Sequence, residues 1–184
     1  MEDLSELIKD TAAGKLKAQS RLYRLFAPKM FGVCLRYSRD VTEAEDNLQE
    51  GFVKVFEKIH TFRFEGSFEG WIRRIMVNVS LEKYRKQNRL FTVEDITAYE
   101  QPQDTNLILS ELSVKELMQL VQQLPPRYRM VFNLYVFEGM NHMEIAREMA
   151  ISVGTSKSNL SRARLILKDR ISKIYHDKEN NFSA

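Results

Sequence analysis

Between Lys157 and Lys173 stand six basic residues and one acid, Asp169. The stretch opens "VGTSKSNLSRAR", and its Gly154-Thr155-Ser156-Lys157-Ser158 segment has the residue types of a phosphate cradle. Such residues suit two kinds of phosphate, those of a nucleotide and those of a nucleic-acid backbone. A nucleotide loop needs a glycine five residues before a Gly-Lys-Ser/Thr, on a strand-to-helix turn. Here Ser156 precedes Lys157, and Ile151 stands five residues before Ser156, so the nucleotide reading fails. A helical reading fits better. With Leu160 at the centre of a buried face, steps of about 100° per residue bring Val153, Ala163, Leu167, Ile171 and Ile174 close to it. Ser158, Ser161 and Arg162 then point away, with Thr155 and Asn159 at the edges. A small, polar and basic outer face suits the major groove, where bases are read by hydrogen bonds and the backbone by charge. The plainer alternative is a solvated C-terminal helix whose late cations complement its dipole. That account covers Lys168, Arg170 and Lys173 but leaves the early Lys157, Arg162 and Arg164 unexplained.

A second basic cluster, Arg73, Arg74, Lys83, Arg85, Lys86 and Arg89, is opposed only by Glu82. It follows a loop, "TFRFEGSFEGW", with two glycines among aromatics. Aromatics beside cations can stack unpaired bases while the charges hold the strand, at about 1–3 kcal/mol per stacked base. Phe62, Phe68 and Trp71 are assigned to the core, and Phe64 with its loop to contact. A third feature, "EDNLQEGFVKVF", sets Asp46, Gln49, Glu50, Lys54 and Glu57 opposite an apolar stripe. The residues alone allow a solvated face or a protein partner. Catalysis has no such support. His60, His142 and His176 are scattered without metal-ligand spacing, and no nucleophile–base order or paired-carboxylate pocket stands out, so neither metal, cofactor nor catalytic residues are expected.

These clusters need elements to position them. The apolar residues recur at helical spacing almost throughout, and the chain has only 7 Gly and 4 Pro, which predicts an all-α fold. A helix is expected over 16–37. Thr42 and Glu45 have capping-box spacing and predict the next start, with Ala44, Leu48, Phe52, Val55 and Ile59 as its buried stripe. Ser67 is the expected N-cap of a helix over 68–88. A helix from near Glu111 to Gln123 is followed by one that Pro126 opens and Gly139 closes. Asn141 and Glu144 predict the cap of a short helix. Ile151 and Ser152 form a turn, and a long final helix starts at Val153. Ala150 stands where many helix–turn–helix motifs have Gly, and if that position is left-handed it costs about 1–2 kcal/mol. The polar tail, 176–184, is expected to be without structure.

With 184 residues, the chain is long enough for two small domains. Residues 1–92 carry 17 basic and 13 acidic groups, residues 93–110 none and 4, and residues 111–184 11 and 8. An acidic, Pro102-containing spacer thus separates two mildly basic blocks. No apolar run approaches the length of about 20 residues that spans a bilayer, and the acidic N-terminus is unlike a secretory signal, so no membrane insertion and a cytoplasmic location are expected. Cys34, the single cysteine, lies in the apolar run "MFGVCLRY" and is expected as a core residue.

Four segments then converge: "AEDNLQEGFVKVFEKI", "FRFEGSFEGWIRRIMVNVSLEKYRK", "LPPRYRMVFNLYVFEGMNHMEIAREM" and "ISVGTSKSNLSRARLIL". In order and spacing the chain resembles bacterial RNA polymerase sigma factors of the sigma-70 family, extracytoplasmic-function (ECF) group. The resemblance implies two small helical domains, region 2 over 1–92 and region 4 over 111–184, joined by a flexible linker over 93–110. It implies core RNA polymerase and promoter DNA as partners, and an anti-sigma factor as a regulator. Asp46, Gln49 and Glu50 match the motif that docks on the clamp helices of the polymerase largest subunit. Phe64, Gly66 and Ser67 lie in the loop that captures a flipped base of the −10 element. Asn78 matches a residue lining that pocket, with Arg73, Arg74, Lys83 and Arg85 on the backbone. Thr155, Lys157, Ser158, Asn159, Ser161, Arg162 and Arg164 fall on the −35 recognition helix. Asn159 departs from the basic residue many members carry, so −35 base preference does not transfer. The rival class is a helix–turn–helix regulator that works without polymerase.

Overall fold

The computed structural model describes residues 4–88 and 113–182, and the linker expected over 93–110 lies outside them. Two compact units separate near Leu90. The first holds α1 (Leu4–Ala12), α2 (Leu16–Tyr37), α3 (Val41–Lys58), a single 3₁₀ turn (Ile59–Thr61) and α4 (Phe68–Asn88). The second holds α5 (Val114–Gln122), α6 (Pro126–Val136), α7 (His142–Met149) and α8 (Val153–Phe182). Among the described residues every regular element is a helix.

In the first unit α2, α3 and α4 pack pairwise around one core. Leu22, Met30 and Cys34 come from α2, Ala44, Phe52 and Val55 from α3, and Ile72, Met76 and Val79 from α4. The α3 stripe is buried as its spacing predicts. Close approach of α3 to α4 depends on Gly51, where an added methyl would overlap Sδ of the fully buried Met76. The N-terminal segment folds as α1 and buries Leu7, Ile8 and Thr11. Cys34 is buried, and burial pushes its thiol up to about 12, which leaves it inert as a nucleophile.

The start of α3 differs from expectation. Asp40, not Thr42, is the N-cap, and its carboxylate accepts from the Glu43 amide at 2.8 Å. Glu43 in turn accepts from the Arg39 amide at 2.6 Å. An aspartate two residues earlier satisfies the open amides first, so Thr42 lies inside the helix. Ser67 does cap α4, accepting from the Gly70 amide at 3.3 Å.

In the second unit Leu120, Leu124, Tyr128, Ala163, Leu167 and Ile171 join α5, α6 and α8 in one core. Reciprocal capping boxes start α5 at Ser113/Glu116 and α7 at Asn141/Glu144. Helix α6 ends at Val136, before Gly139, because the Met140 amide bonds back to the Leu134 carbonyl at 3.0 Å across a turn in which Gly139 has φ +67°. Ala150 ends α7 in the left-handed conformation, φ 53° and ψ 45°. The tail expected to be without structure continues α8 as far as Phe182.

Candidate nucleic-acid interface and docking surface

Asp46, Gln49 and Glu50 are all exposed on the side of α3 opposite its buried stripe. Internal cations hold two of them. Lys54 Nζ lies 3.4 Å from Glu50 and 2.6 Å from Glu82 on α4, and Lys83 Nζ lies 3.8 Å from Asp46. The hydrogen bond to Glu82 raises the Lys54 ammonium above its ordinary value, and the same bond lowers the Glu82 carboxyl. The Glu50–Lys54 pair is i,i+4 on one helix and follows from periodicity, whereas the Lys54–Glu82 and Lys83–Asp46 contacts join α3 to α4 across a loop and have no periodic signal.

The loop before α4 is strained at its tip. Phe64 has φ 59° although it is aromatic, and it stays 49% exposed while touching Phe62 at 5.1 Å between ring centroids. Such backbone costs about 1–3 kcal/mol and persists only where its surroundings fix it. Here Gly66, φ 90°, completes the turn, and Phe62 packs edge-on to buried Phe68 at 4.9 Å. The assignment of Phe68 to the core therefore holds, and Phe62 and Trp71 are half-buried beside it. A cleft of about 550 Å³ opens beside the loop, lined by Ile8, Leu25, Phe26, Phe62, Phe64 and Phe68.

Spacing along α4 sorts the remaining candidates. Arg74, Asn78 and Arg85, at steps of four and seven, share one face with Trp71, and Arg74 and Asn78 are exposed. Lys83 and Arg73 leave that face. Both are half-buried, and Lys83 turns to Asp46 on α3.

In the second unit α7, the turn at Ile151 and α8 form a helix–turn–helix. Ser152 caps α8, accepting from the Thr155 amide at 2.9 Å. The buried side of α8 is rotated from expectation. Ser156, Leu160, Ala163 and Leu167 are buried, Asn159 is only 6% exposed, and Val153 is 39% exposed. The cause is Ser156. Its Oγ lies 3.0 Å from Nδ1 of His142 on α7, so this small polar side chain sits inside, and the helix turns by about 40° from a Leu160-centred arc. Two corrections follow: Asn159 belongs to the interior, not to the edge of a groove-facing surface, and Val153 does not belong to the buried stripe.

The outer arc of α8 now has a centre and two margins. Gly154 and Ser158 lie along the middle, Lys157 and Arg164 along one margin, Thr155 and Arg162 along the other, while Ser161, expected to point away, is half-buried with its Oγ shut off from solvent. The Ser158 hydroxyl donates to the Thr155 carbonyl at 3.0 Å. Arg162 is half-buried and donates to the Tyr128 hydroxyl at 3.1 Å, rather than pointing straight out. Arg164 lies over the Tyr135 ring at 5.7 Å, and His142 stacks on the same ring at 5.0 Å. Tyr128, Tyr135, His142 and Ser156 thus shape this face, and no spacing rule singles them out.

Family models match both units, sigma-70 region 2 over residues 22–90 and sigma-70 region 4 over residues 115–167. The ECF RNA polymerase sigma-E factor of Haemophilus influenzae is 30% identical over 178 residues, 90% of this chain and 93% of that protein. The ECF sigma factor SigW of Bacillus subtilis is 28% identical over 182 residues, 91% and 96% of the two chains. SigE of Mycolicibacterium smegmatis is 29% identical over 168 residues, and the chain spans 64% of that longer relative. Among solved structures, the sigma factor RpoE of Bartonella quintana in complex with the anti-sigma factor NepR is 22% identical, covering 85% of this chain and 98% of that one at a TM-score of 0.49. The chain belongs to the sigma-70 family, ECF group, and is an alternative sigma factor that directs promoter recognition with RNA polymerase.

Proposed function

We propose a division of this function between the two units. Residues 1–92 bind core polymerase and recognise and melt the −10 element, residues 93–110 connect, and residues 111–184 read the −35 element. Asp46, Gln49 and Glu50 dock on the polymerase clamp. Phe64, Gly66 and Ser67 capture a flipped base, with Asn78 beside it and Arg74 and Arg85 on the strand. Arg73 and Lys83 play a lesser part, one off that face and the other engaged with Asp46. On α8, Ser158 faces base edges while Lys157, Arg164, Thr155 and Arg162 flank it at the phosphates, and Ser161, its hydroxyl buried, plays a lesser part. The observation that carries the reading is the Phe64 loop: an exposed aromatic on left-handed backbone at the end of a face bearing Arg74, Asn78 and Arg85.

Base capture offsets the unstacking cost of a few kcal/mol when a duplex opens. The protein performs no chemistry of its own and works in the cytoplasm, where polymerase and promoter are. An anti-sigma factor, such as the NepR bound to the Bartonella quintana relative, is the proposed regulator.

Run-off transcription with purified core polymerase tests the whole reading. Stimulation on a genomic promoter is expected, and none on any would favour the polymerase-independent regulator. Glu50→Lys should abolish core binding with the fold intact. Phe64→Asn keeps a residue that tolerates left-handed backbone. It should bind core normally yet open promoter DNA at least tenfold less well, as read by permanganate reactivity of unpaired thymines.

A further inference from the structure

Val53 is the apolar residue in the middle of the acidic side of α3. It lies one turn from Gln49, Glu50 and Glu57 and two turns from Asp46, and all four are exposed. Val53 itself is 56% exposed, while the packing stripe Leu48, Phe52, Val55 runs along the opposite side of the helix. Its own unit therefore makes little use of the side chain. A β-branched residue is also among the weaker helix formers, so helix stability does not favour it there. One exposed valine on a solvated helix calls for no explanation. A valine ringed by three carboxylates and an amide has the layout of an interface instead, an apolar centre inside a polar rim that excludes water.

The platform under this ring is held from both sides. On one flank Lys54 ties Glu50 to Glu82 of α4, and Lys83 faces Asp46. On the other, Tyr23 of α2 packs on Phe52 at 4.6 Å, and Phe52 contacts Phe56 at 6.0 Å. Helix α3 thus meets a partner with little side-chain ordering left to complete.

We propose that Val53 is the apolar anchor of the polymerase-docking face, seated in an apolar recess of a basic polymerase surface while Asp46, Gln49, Glu50 and Glu57 close around it. The inference rests on the docking role of Asp46, Gln49 and Glu50 proposed above and extends that site by one turn, to Val53 and Glu57. Within it the carboxylates select a basic partner, and Val53 supplies contact that does not depend on salt.

The test is equilibrium binding of the full chain to purified core polymerase over a series of salt concentrations, for the parent protein, Val53→Thr and Glu50→Lys. Threonine keeps the shape and β-branching of valine and replaces a methyl by a hydroxyl. Val53→Thr should bind about tenfold more weakly, with the salt slope and thermal midpoint of the parent. Glu50→Lys should lose binding across the whole salt series. If Glu50→Lys weakens binding but Val53→Thr matches the parent, or loses affinity only through a changed salt slope, the anchor is wrong. Parent-like binding by Glu50→Lys would instead overturn the docking assignment itself.

Discussion

The Oγ of Ser156 lies 3.0 Å from Nδ1 of His142, and this contact joins the two helices of the helix–turn–helix. It goes with the rotation of α8 that buries Ser156 and Asn159 and leaves Lys157 and Arg164 exposed. His142 itself makes the unit sensitive to pH. Burial first, then the charges of Lys157 and Arg164, hold the imidazole below its ordinary value. The unfolded chain therefore takes up a proton at higher pH than the folded one. Stability is complete above about pH 6.5, the ordinary histidine value, and falls as pH drops from there toward the lower folded value. The thermal midpoint of the second unit should decline over that window, and His142→Gln should remove the His142 part of the decline. A DNA phosphate near Lys157 and Arg164 cancels their field, so −35 duplex binding should raise the His142 titration midpoint in an NMR titration. An unchanged midpoint would separate His142 from the DNA face.

Ser158 makes a prediction about base preference. A carbonyl can only accept, so the bond to Thr155 uses the single hydroxyl proton and leaves the Ser158 oxygen to face outward as an acceptor. In the major groove the matching donors are the amino groups of adenine and cytosine. Ser158→Ala should cost about 1 kcal/mol on duplexes carrying adenine or cytosine at the contacted position and almost nothing on those carrying guanine or thymine. Equal losses across all four duplexes would refute a base contact.

Gly51 and Met76 should be energetically coupled. Gly51→Ala gains helix propensity, about 1 kcal/mol, but drives a methyl into the thioether of fully buried Met76, which must shift within the core. Overpacking of this kind costs about 1–3 kcal/mol, so a net loss is expected in denaturant melts. In a Met76→Val background, where Sδ and Cε are gone, the same substitution should become neutral or stabilising. A double-mutant cycle reads the coupling directly.

Ala150 holds a left-handed backbone with a side chain. Ala150→Gly removes a strain of about 1–2 kcal/mol and gives back about half of it as unfolded-state entropy. A rise in the thermal midpoint of a few degrees is expected, with −35 affinity unchanged. A fall would mean that the Ala150 methyl packs more than its exposure suggests.

Much of this protein was legible in its residue order. Helical periodicity marked α2, α3, α4 and the helix–turn–helix, because burying one stripe of each helix is the dominant requirement and the stripe is written locally. Local capping pairs, Asn141 with Glu144 and Ser67 with the Gly70 amide, were readable for the same reason. The carboxylates of α3 and the cations of α4 and α8 could likewise be picked out by type. What the tertiary structure decided was which of them act together. Ser156 counts as polar in any periodic reading, yet a histidine fourteen residues away gives its hydroxyl a partner, and that one contact turns Asn159 inward. Lys83 looks like one more strand-holding cation until packing of α4 on α3 places it beside Asp46. Phe64 reads as an ordinary loop aromatic, and only the closed turn with Gly66 holds it in left-handed backbone. In each case the deciding interaction links residues whose separation bears no relation to helical period, and so has no signature in the sequence.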